Sequence, residues 1–352
     1  MQALQKLVQK IDKEGYYPKE QIIDFAKRGY FGVLQERSDI FKALEKIGEV
    51  SNVCATTGFC MWCQFALIWY VLNSDNNGLK EALLPKLYSG QILGGTALSN
   101  PMKSFAGIEK NHLKAKRVNG GYIINGTLPW VSNIEANSAF GAIALLGDNE
   151  PIMGVIYCDE SVKLSSHIKY ATLEGSATKT IALKDYFLKD ADVLSGANVY
   201  SYLVKITPGF ILLQAGIAAG IINQSLECIN KADLTHSHIN EFLPYSYDSL
   251  KAEFDDILAR VVKACENINA PEAKNILTLR LDASLLTQKI TAAAVLFSGT
   301  MGYLADAKPQ RLQREGNFVL IVTPSIKHLI KELKSVETGG GCLNEWKRKA
   351  NA

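Results

Sequence analysis

The sequence predicts a mainly helical protein with a central β domain, because the spacing of its apolar residues changes twice along the chain. Helical spacing covers residues 1–91, short apolar runs separated by turn formers cover 92–195, and helical spacing returns over 196–335. We expect these ranges to be three domains, followed by a flexible tail over 336–352 that contains three consecutive glycines. With 352 residues, of which 47% are hydrophobic, the chain can bury a large core.

The first region shows the pattern of amphipathic helices around one buried helix. Leu4, Leu7, Val8 and Ile11 are spaced to share one helix face, whereas the segment from Cys54 to Leu72 is apolar nearly all round. The longest apolar runs in the chain cover residues 60–72 and 210–222, which is too short to span a bilayer. We therefore expect both runs to be buried helices and expect no membrane span.

The pattern of the middle region predicts a small all-β unit. Its strand-like runs are Tyr122–Ile124, Ala139–Leu146 and Met153–Tyr157. The turn and hairpin signals between the runs are Asn119–Gly121, Asn125–Gly126 and Gly147–Asn149.

Charge and cysteine content narrow the functional classes. The net charge is only +3 and the basic residues are scattered without an aromatic stripe, which argues against a nucleic-acid partner. Seven cysteines is an odd number, and they lie in apolar segments, as expected for reduced thiols in the cytoplasm. Cys60 and Cys63 have redox-motif spacing, but no glycine or proline turn separates them, so we expect them to be structural. The charged N-terminal segment does not have the pattern of a signal peptide.

Two short stretches of the sequence give the main indication of function. Residues 95–101 and 127–133 each place a hydroxyl, that of Ser99 or Ser132, in an apolar run beside a turn former, and the second stretch adds the indole of Trp130. A flat, electron-poor heterocycle needs such a stacking surface together with a few hydrogen-bond donors at its polar edge. The alternative is that these are ordinary strand ends in which Trp130 only fills the core.

Taken in order, these stretches and four others resemble motifs of the acyl-CoA dehydrogenase superfamily along nearly the whole chain. Gly95–Pro101 resembles the Tyr-Cys-x-Thr-Glu-Pro strand of the family, and Trp130–Asn133 resembles its Trp-Ile-Thr-Asn run. The other matching segments are an opening helix over Ile11–Leu34, the approach to the last strands at Glu174–Thr178, the glycine signature at Gly299–Tyr303, and the arginine signature at Pro309–Glu315.

The resemblance implies an N-terminal helical domain, a small β-barrel, a C-terminal four-helix bundle and a flavin bound between the β domain and the bundle. It implies that Ser99 and Ser132 hydrogen-bond the isoalloxazine edge, that Trp130 packs near the ring, and that the backbone at Leu98 and Val131 contacts it. It also implies a homodimer or homotetramer assembled through the bundle. The full set of expected cofactor-binding residues is Leu98, Ser99, Trp130, Val131, Ser132, Gly299 and Ser325.

The usual reaction of the family requires a carboxylate that removes a proton α to a thioester carbonyl while a hydride leaves for the flavin. The residue at the position of the usual glutamate is Thr323, and the best match to an alternative family position is Asn230. Neither residue is acidic, so the catalytic base is not identified. Glu227 and Glu315 are the carboxylates left as substitutes.

Further departures concern the far end of the cofactor and the reaction type. His238–Phe242 replaces a family run whose arginine contacts the pyrophosphate, and Leu296 falls near the place of a usual glutamine. The expected cofactor is FAD, with FMN as the alternative. Branches of the superfamily without the glutamate react with dioxygen and need a proton donor, for which the candidates are His112, His167, His236, His238 and His328.

Three functions follow from the resemblance, in this order. The first is an FAD-dependent dehydrogenase of an acyl thioester that passes electrons to a flavin-linked acceptor. The second is a flavin-dependent monooxygenase or oxidase of the dibenzothiophene monooxygenase type, supplied by a flavin reductase. The third is a catalytically silent flavin-binding homologue. No metal is expected, because His236 and His238 have no metal-ligand spacing with nearby acids.

Overall fold

The structure is a computed structural model, and it describes residues 1–147, 150–165, 169–196 and 198–352. Before the sheet, the described chain forms helices α1 (Gln2–Glu14), α2 (Lys19–Lys27), α3 (Ile40–Ser51), α4 (Ala55–Asn73) and α5 (Asn77–Tyr88). Every residue of α4 except Leu72 is buried, so the prediction of a central helix is confirmed. A helix that is apolar all round is stable only where other elements cover each of its faces.

The middle of the chain forms a seven-stranded sheet. Its elements are β1 (Gly94–Thr96), α6 (Ser99–Phe105), β2 (Leu113–Val118), β3 (Gly121–Val131), β4 (Ala139–Leu146), β5 (Glu150–Tyr157), β6 (Val162–Ser165) and β7 (Lys179–Lys189). The strands lie in the order β1-β4-β2-β3-β7-β6, and β5 pairs with β4. The β1–β4 and β2–β4 pairs are parallel and the other pairs are antiparallel.

One of the predicted turns is wrong. Asn119–Gly120 joins β2 to β3 as expected, whereas Asn125–Gly126 lies inside β3 at a register shift opposite β7. Gly126 has a φ of 140°, and a Cβ there would lie 2.1 Å from the carbonyl oxygen of His112. The glycine therefore serves a β-bulge rather than a turn. Residues 148–149 of the third predicted turn lie outside the described residues.

Helices dominate the rest of the chain. They are α7 (Val199–Leu212), α8 (Gln214–Asn240), α9 (Tyr247–Glu266), α10 (Ala273–Gly302), α11 (Lys308–Ile321), α12 (Ile326–Glu337) and α13 (Cys342–Ala350). Helix α8 packs against α10, α11 and α3. The predicted fold class, mainly α with a central β domain, is confirmed.

The expectation of a flexible tail after residue 335 is wrong. Helix α13 packs onto α7, and its Trp346 is only 2% exposed and contacts the ring of Phe105 edge-on, with the centroids 5.1 Å apart. The backbone N–H of Cys342 donates to the buried carboxylate of Glu332 over 2.8 Å. In a segment that is otherwise charged, these few apolar residues are enough to anchor the helix.

Two segments of the described chain are helical, long enough and apolar enough to cross a membrane by length and composition. They are Ala55–Asn73 and the joined α7–α8 stretch Val199–Asn240. Both helical segments are longer than the apolar runs 60–72 and 210–222 that they contain. In each, 94% of the most apolar stretch is buried inside the protein, as in the core helices of globular proteins.

Candidate functional site

A cavity of about 610 Å³ lies between the sheet and helices α4, α6, α7 and α11. Its volume is in the range of small-molecule sites. Its walls come from stretches far apart in the sequence. The lining residues are Phe59, Trp62, Cys63, Thr96, Ser99, Lys103, Trp130, Ser132, Lys169, Tyr170, Ala171, Thr172, Leu173, Ser176, Thr178, Phe210, Arg314, Asn317, Phe318, Ile321, Val322 and Thr323.

The three residues that carried the sequence prediction meet in this cavity. Ser99, Trp130 and Ser132 all line it, although Ser99 is the first residue of helix α6 rather than part of a strand. Trp130 is 45% exposed and lies beside Tyr170, with ring centroids 5.9 Å apart. Trp130 is therefore not core filling, and its ring is available for stacking.

Hydroxyl groups form two short chains in the cavity wall. The Oγ of Ser132 lies 2.7 Å from the Oγ1 of Thr178, which lies 2.8 Å from the Oγ of Ser176. The Oγ of Ser99 lies 2.8 Å from the Oγ1 of Thr323. Because a hydroxyl offers one donor and two acceptor sites, each chain can still bond a ligand. Sequence reasoning named Ser99 and Ser132 but missed the partners from the 176–178 segment.

Four aromatic rings form the apolar part of the cavity. Phe59 stacks on Trp62 at 5.5 Å, and it meets Phe318 edge-on at 4.7 Å. Phe210 lies 5.3 Å from Trp62. Sequence reasoning missed Phe59 and Trp62 because α4 is apolar on every face, so its pattern does not show which side meets a cavity.

Cations, but no carboxylates, are found among the described residues that line this cavity. They are Lys103, which pairs with Glu109 at 3.1 Å, Arg314, which pairs with Asp12 at 2.5 Å, and Lys169. Burial raises the pKa of Tyr170 above its ordinary value, which favours the neutral phenol. The cavity thus offers hydroxyls and cations, but no carboxylate base from this part of the chain.

The remaining predicted cofactor residues are not among those that line the cavity. Leu98 is fully buried in the core, and Val131 faces a neighbouring cavity of about 100 Å³ that Ser99 also lines. Gly299 lies at a kink of α10, where its φ of 57° and ψ of −145° suit glycine. Ser325 caps the N-terminus of α12.

The substitute bases do not reach the cavity lining. Asn230 is exposed on α8, and Glu227 is exposed and pairs with Lys308 at 3.2 Å. Glu315 is only 1% exposed and pairs with Arg311 at 3.3 Å, and burial raises the pKa of its carboxyl. Both glutamates therefore serve helix packing or surface pairing in this structure.

The described histidines also lie outside the lining. His328 is buried beside a separate cavity of about 20 Å³, and burial lowers the pKa of its imidazole. His112 faces the neighbouring 100 Å³ cavity, and His236 and His238 are exposed on α8. His167 lies outside the described residues.

The described residues do not favour a reactive cysteine pair or a metal site. Cys60 and Cys63 are free and buried, and burial raises the pKa of both thiols, which disfavours reactive thiolates. Within the described ranges, no three His, Cys, Asp or Glu side chains are grouped in a way that would hold a metal ion.

The chain is similar to known proteins along most of its length. It is 25% identical over 307 residues to the mitochondrial 2-methylacyl-CoA dehydrogenase of Solanum tuberosum, which covers 82% of this chain and 73% of the relative. It is 25% identical over 351 residues to the mitochondrial short-chain specific acyl-CoA dehydrogenase of Homo sapiens, covering 91% and 83%. Butyryl-CoA dehydrogenase from Megasphaera elsdenii superposes with a TM-score of 0.84 at 16% identity, covering 96% and 94%. The chain is therefore similar to acyl-CoA dehydrogenases in sequence, and it has their fold.

No protein-family model matches the chain. The similarity therefore depends on the aligned relatives and on the shared fold, and it supports the resemblance that six short motifs indicated. The chain combines the fold of these relatives with a cavity whose described lining includes no acid.

Proposed function

We propose that the chain is a flavin-dependent oxidoreductase of the acyl-CoA dehydrogenase type, and that its organic substrate binds in the 610 Å³ cavity. The observation that carries the proposal is that Ser99, Trp130 and Ser132 line the same cavity. The curated relatives named above are acyl-CoA dehydrogenases, which supports the same reading.

The residues present fit the planar ring of a flavin. The half-exposed indole of Trp130 offers a stacking face, and the hydroxyls of Ser99 and Ser132 offer hydrogen bonds to a polar ring edge. We propose that the backbone at Leu98 and Val131 contributes as well, with Gly299 and Ser325 serving the remainder of the cofactor. When bound, the flavin supplies a hydride acceptor.

FAD is the first candidate cofactor and FMN the second. The family arginine that contacts the pyrophosphate has no counterpart in the His238–Phe242 segment, which weakens the case for a tightly held dinucleotide. Denaturing the purified protein and separating the released flavin by chromatography decides between them. Colourless protein that takes up neither flavin would contradict the proposal.

The first candidate reaction is α,β-dehydrogenation of an acyl thioester. Phe59, Trp62, Phe210 and Phe318 would exclude water from the substrate, and the cationic lining would favour negative charge on its oxygen. The test is anaerobic addition of acyl-CoA thioesters of different chain lengths to the flavin-loaded protein. Bleaching of the flavin by at least one thioester is expected, and no bleaching by any of them would exclude this reaction.

The second candidate is a flavin-dependent monooxygenase or oxidase of a small apolar molecule. It is favoured by the lack of a carboxylate among the described lining residues, because that chemistry needs a water-excluding pocket rather than a base. Its test is oxygen consumption with externally supplied reduced flavin in the presence of candidate substrates. Protein that consumes no oxygen above the free-flavin rate would exclude it.

The partners and the compartment follow from the same proposal. We propose a flavin-linked electron acceptor for the dehydrogenase, or a flavin reductase for the oxygenase, and a cytoplasmic location. All seven cysteines are free, which is consistent with a reducing compartment.

A further inference from the structure

A buried arginine without an acidic partner lies behind one wall of the cavity. Arg280 of α10 is 3% exposed; its Nε donates to the Oε1 of Gln214 over 2.9 Å, and its Nη2 donates to the carbonyl oxygen of Val319 over 2.9 Å. Its Nη1 donates to the Oγ of Ser284. These partners are neutral, and no carboxylate of the described residues forms an ion pair with it. Burial lowers the pKa of Arg280 to about 10, so the side chain is still a cation at neutral pH.

Hydrogen bonds connect this cation to the cavity. Gln214, which is 1% exposed, donates from its Nε2 to the carbonyl oxygen of Thr323 over 2.9 Å. Thr323 lines the cavity, and its hydroxyl lies 2.8 Å from that of Ser99. Arg280, Gln214, Thr323 and Ser99 thus form one continuous path from the core of the helices to the cavity wall.

Arg280 differs from the paired cations at the cavity because no carboxylate of the described residues forms an ion pair with it. Lys103 and Arg314 each have a carboxylate within ion-pair distance, which offsets most of their field. The field of Arg280 passes through buried, neutral groups, where charges interact more strongly than in water. The described cavity lining contributes no acid that would cancel it.

We infer that Arg280 is a positioning residue that holds Thr323 through Gln214 and makes the Thr323–Ser99 end of the cavity favour negative charge. The identity of that charge rests on the proposed function: in a dehydrogenase or an oxygenase it would be a substrate oxygen that becomes electron-rich during the reaction. The local preference itself is independent of any cofactor.

A thiol placed at position 323 measures this preference directly. In the full-length Thr323→Cys variant, the rate of alkylation of the new thiol by iodoacetamide is followed by peptide mass spectrometry as a function of pH. The thiolate is the reactive form, so a nearby cation increases its fraction. Adding Arg280→Met should slow alkylation at pH 7 about fivefold and move the pH profile upward. Adding Arg280→Lys should restore most of the rate.

Controls separate electrostatics from loss of structure. Lys289→Met removes a partly exposed cation, paired with Glu253, from the same helix and should leave the alkylation rate unchanged. If Arg280→Met fails to fold, Gln214→Glu provides a second route, because a carboxylate beside Arg280 neutralises it and should slow alkylation in the same direction. The inference is overturned if folded Thr323→Cys protein is alkylated at the same rate with and without each of the Arg280→Met and Gln214→Glu substitutions.

The measurement also separates this inference from the proposed function, because it uses protein without flavin. A slower alkylation in Arg280→Met protein, from a parent chain that binds no flavin, would support the role of Arg280 and contradict the proposed function. Normal flavin binding with unchanged alkylation would support the proposed function and overturn the role of Arg280.

Discussion

Thr323 is the residue that the resemblance to acyl-CoA dehydrogenases aligns with the glutamate of their usual reaction. Its hydroxyl bonds to that of Ser99 and its side chain lines the cavity. A hydroxyl cannot take the α-proton of a thioester at neutral pH, whereas a carboxylate there can. We expect Thr323→Glu to raise thioester-dependent bleaching of the flavin at least about tenfold. Anaerobic stopped-flow spectroscopy measures this rate.

Thr323→Gln is the matched control for that variant, since it has nearly the same size but no basic oxygen. It should not exceed the rate of the unmodified protein. If the glutamate and glutamine variants bleach at the same rate, the cavity does not present a thioester to position 323, and the dehydrogenase reading loses its support.

The serine hydroxyls of the cavity wall give a second test at the residue scale. We expect Ser99→Ala and Ser132→Ala each to weaken flavin binding about fivefold, because each loses one hydrogen bond worth about 1 kcal/mol. Quenching of flavin fluorescence during titration gives the dissociation constants. Ser165→Ala changes an exposed residue at the end of strand β6 and should bind flavin as the parent does. Unchanged affinity in both cavity variants would remove these hydroxyls from the flavin site.

His328 gives a pH-dependent test. Burial lowers its pKa below the ordinary value of 6.5, so the unfolded chain binds the proton more readily than the folded one. The stabilising contribution of the neutral imidazole is therefore complete above about pH 6.5 and is lost as the pH falls from there through the lower pKa of the folded state. We expect His328→Gln to show a smaller loss of unfolding free energy on acidification, measured by urea titration at several pH values.

The exposed His236 is the control, and His236→Gln should keep the pH slope of the parent. A parent-like slope in His328→Gln would show that its burial does not control acid stability.

Residue chemistry could be predicted wherever a polar group interrupts an apolar run. Ser99, Trp130 and Ser132 were recognised in this way and line one cavity. The roles of Phe59 and Arg280 could not be predicted, because an aromatic residue in an all-apolar helix and a basic residue in a long helix look the same in sequence whether or not they lie near a site. Their significance depends on contacts between distant segments.

Among the elements, α13 is packed onto the protein although four of its nine residues are charged. Trp346 is almost fully buried and contacts Phe105, so replacing it with alanine leaves a cavity. We expect Trp346→Ala to lower the free energy of unfolding by about 3 kcal/mol. Denaturant titration measures this loss, and Lys347→Ala on the exposed face of α13 should change it by less than about 0.5 kcal/mol. If Trp346→Ala lowers the free energy of unfolding no more than Lys347→Ala does, Trp346 does not anchor α13.

The type and extent of an element were predictable where a long run of apolar residues was uninterrupted. The buried character of α4 and the full extent of β4 follow from such runs. The bulge at Gly126 and helix α13 were not predictable, because each depends on a partner supplied elsewhere: β7 opposite the bulge, and α7 beneath the helix. Local pattern alone favours a turn in the first case and disorder in the second.

For the whole molecule, the site depends on the arrangement of segments that are far apart in the chain. The cavity joins Phe59 of α4, Ser132 after β3 and Thr323 after α11, so no single segment holds the binding surface. A family resemblance predicts this arrangement, because it carries the topology that composition and spacing do not. Against the shared fold, the departures from the family pattern are substitutions of single residues, such as Thr323 at the position of the usual glutamate.

The surface of α10 and of the segment after it argues for assembly of the whole molecule. Leu285 and Leu296 lie on one face of the helix and are 46% and 53% exposed, and Met301 and Tyr303 are 70% and 77% exposed. Apolar side chains grouped on a surface are typical of protein interfaces. We propose a homodimer or homotetramer formed through this surface, and expect size-exclusion chromatography with light scattering to give twice or four times the chain mass of 38.6 kDa.

Replacing one of these apolar side chains with a charge should separate the copies. We expect Leu296→Asp to elute with the mass of a single chain, because a carboxylate in the interface loses its hydration without gaining a partner. Lys263→Asp introduces the same group on the exposed face of α9 and should leave the assembly intact. A protein that is monomeric before any substitution, or an assembly that Leu296→Asp does not disturb, would place the contact elsewhere and leave this apolar face open to solvent.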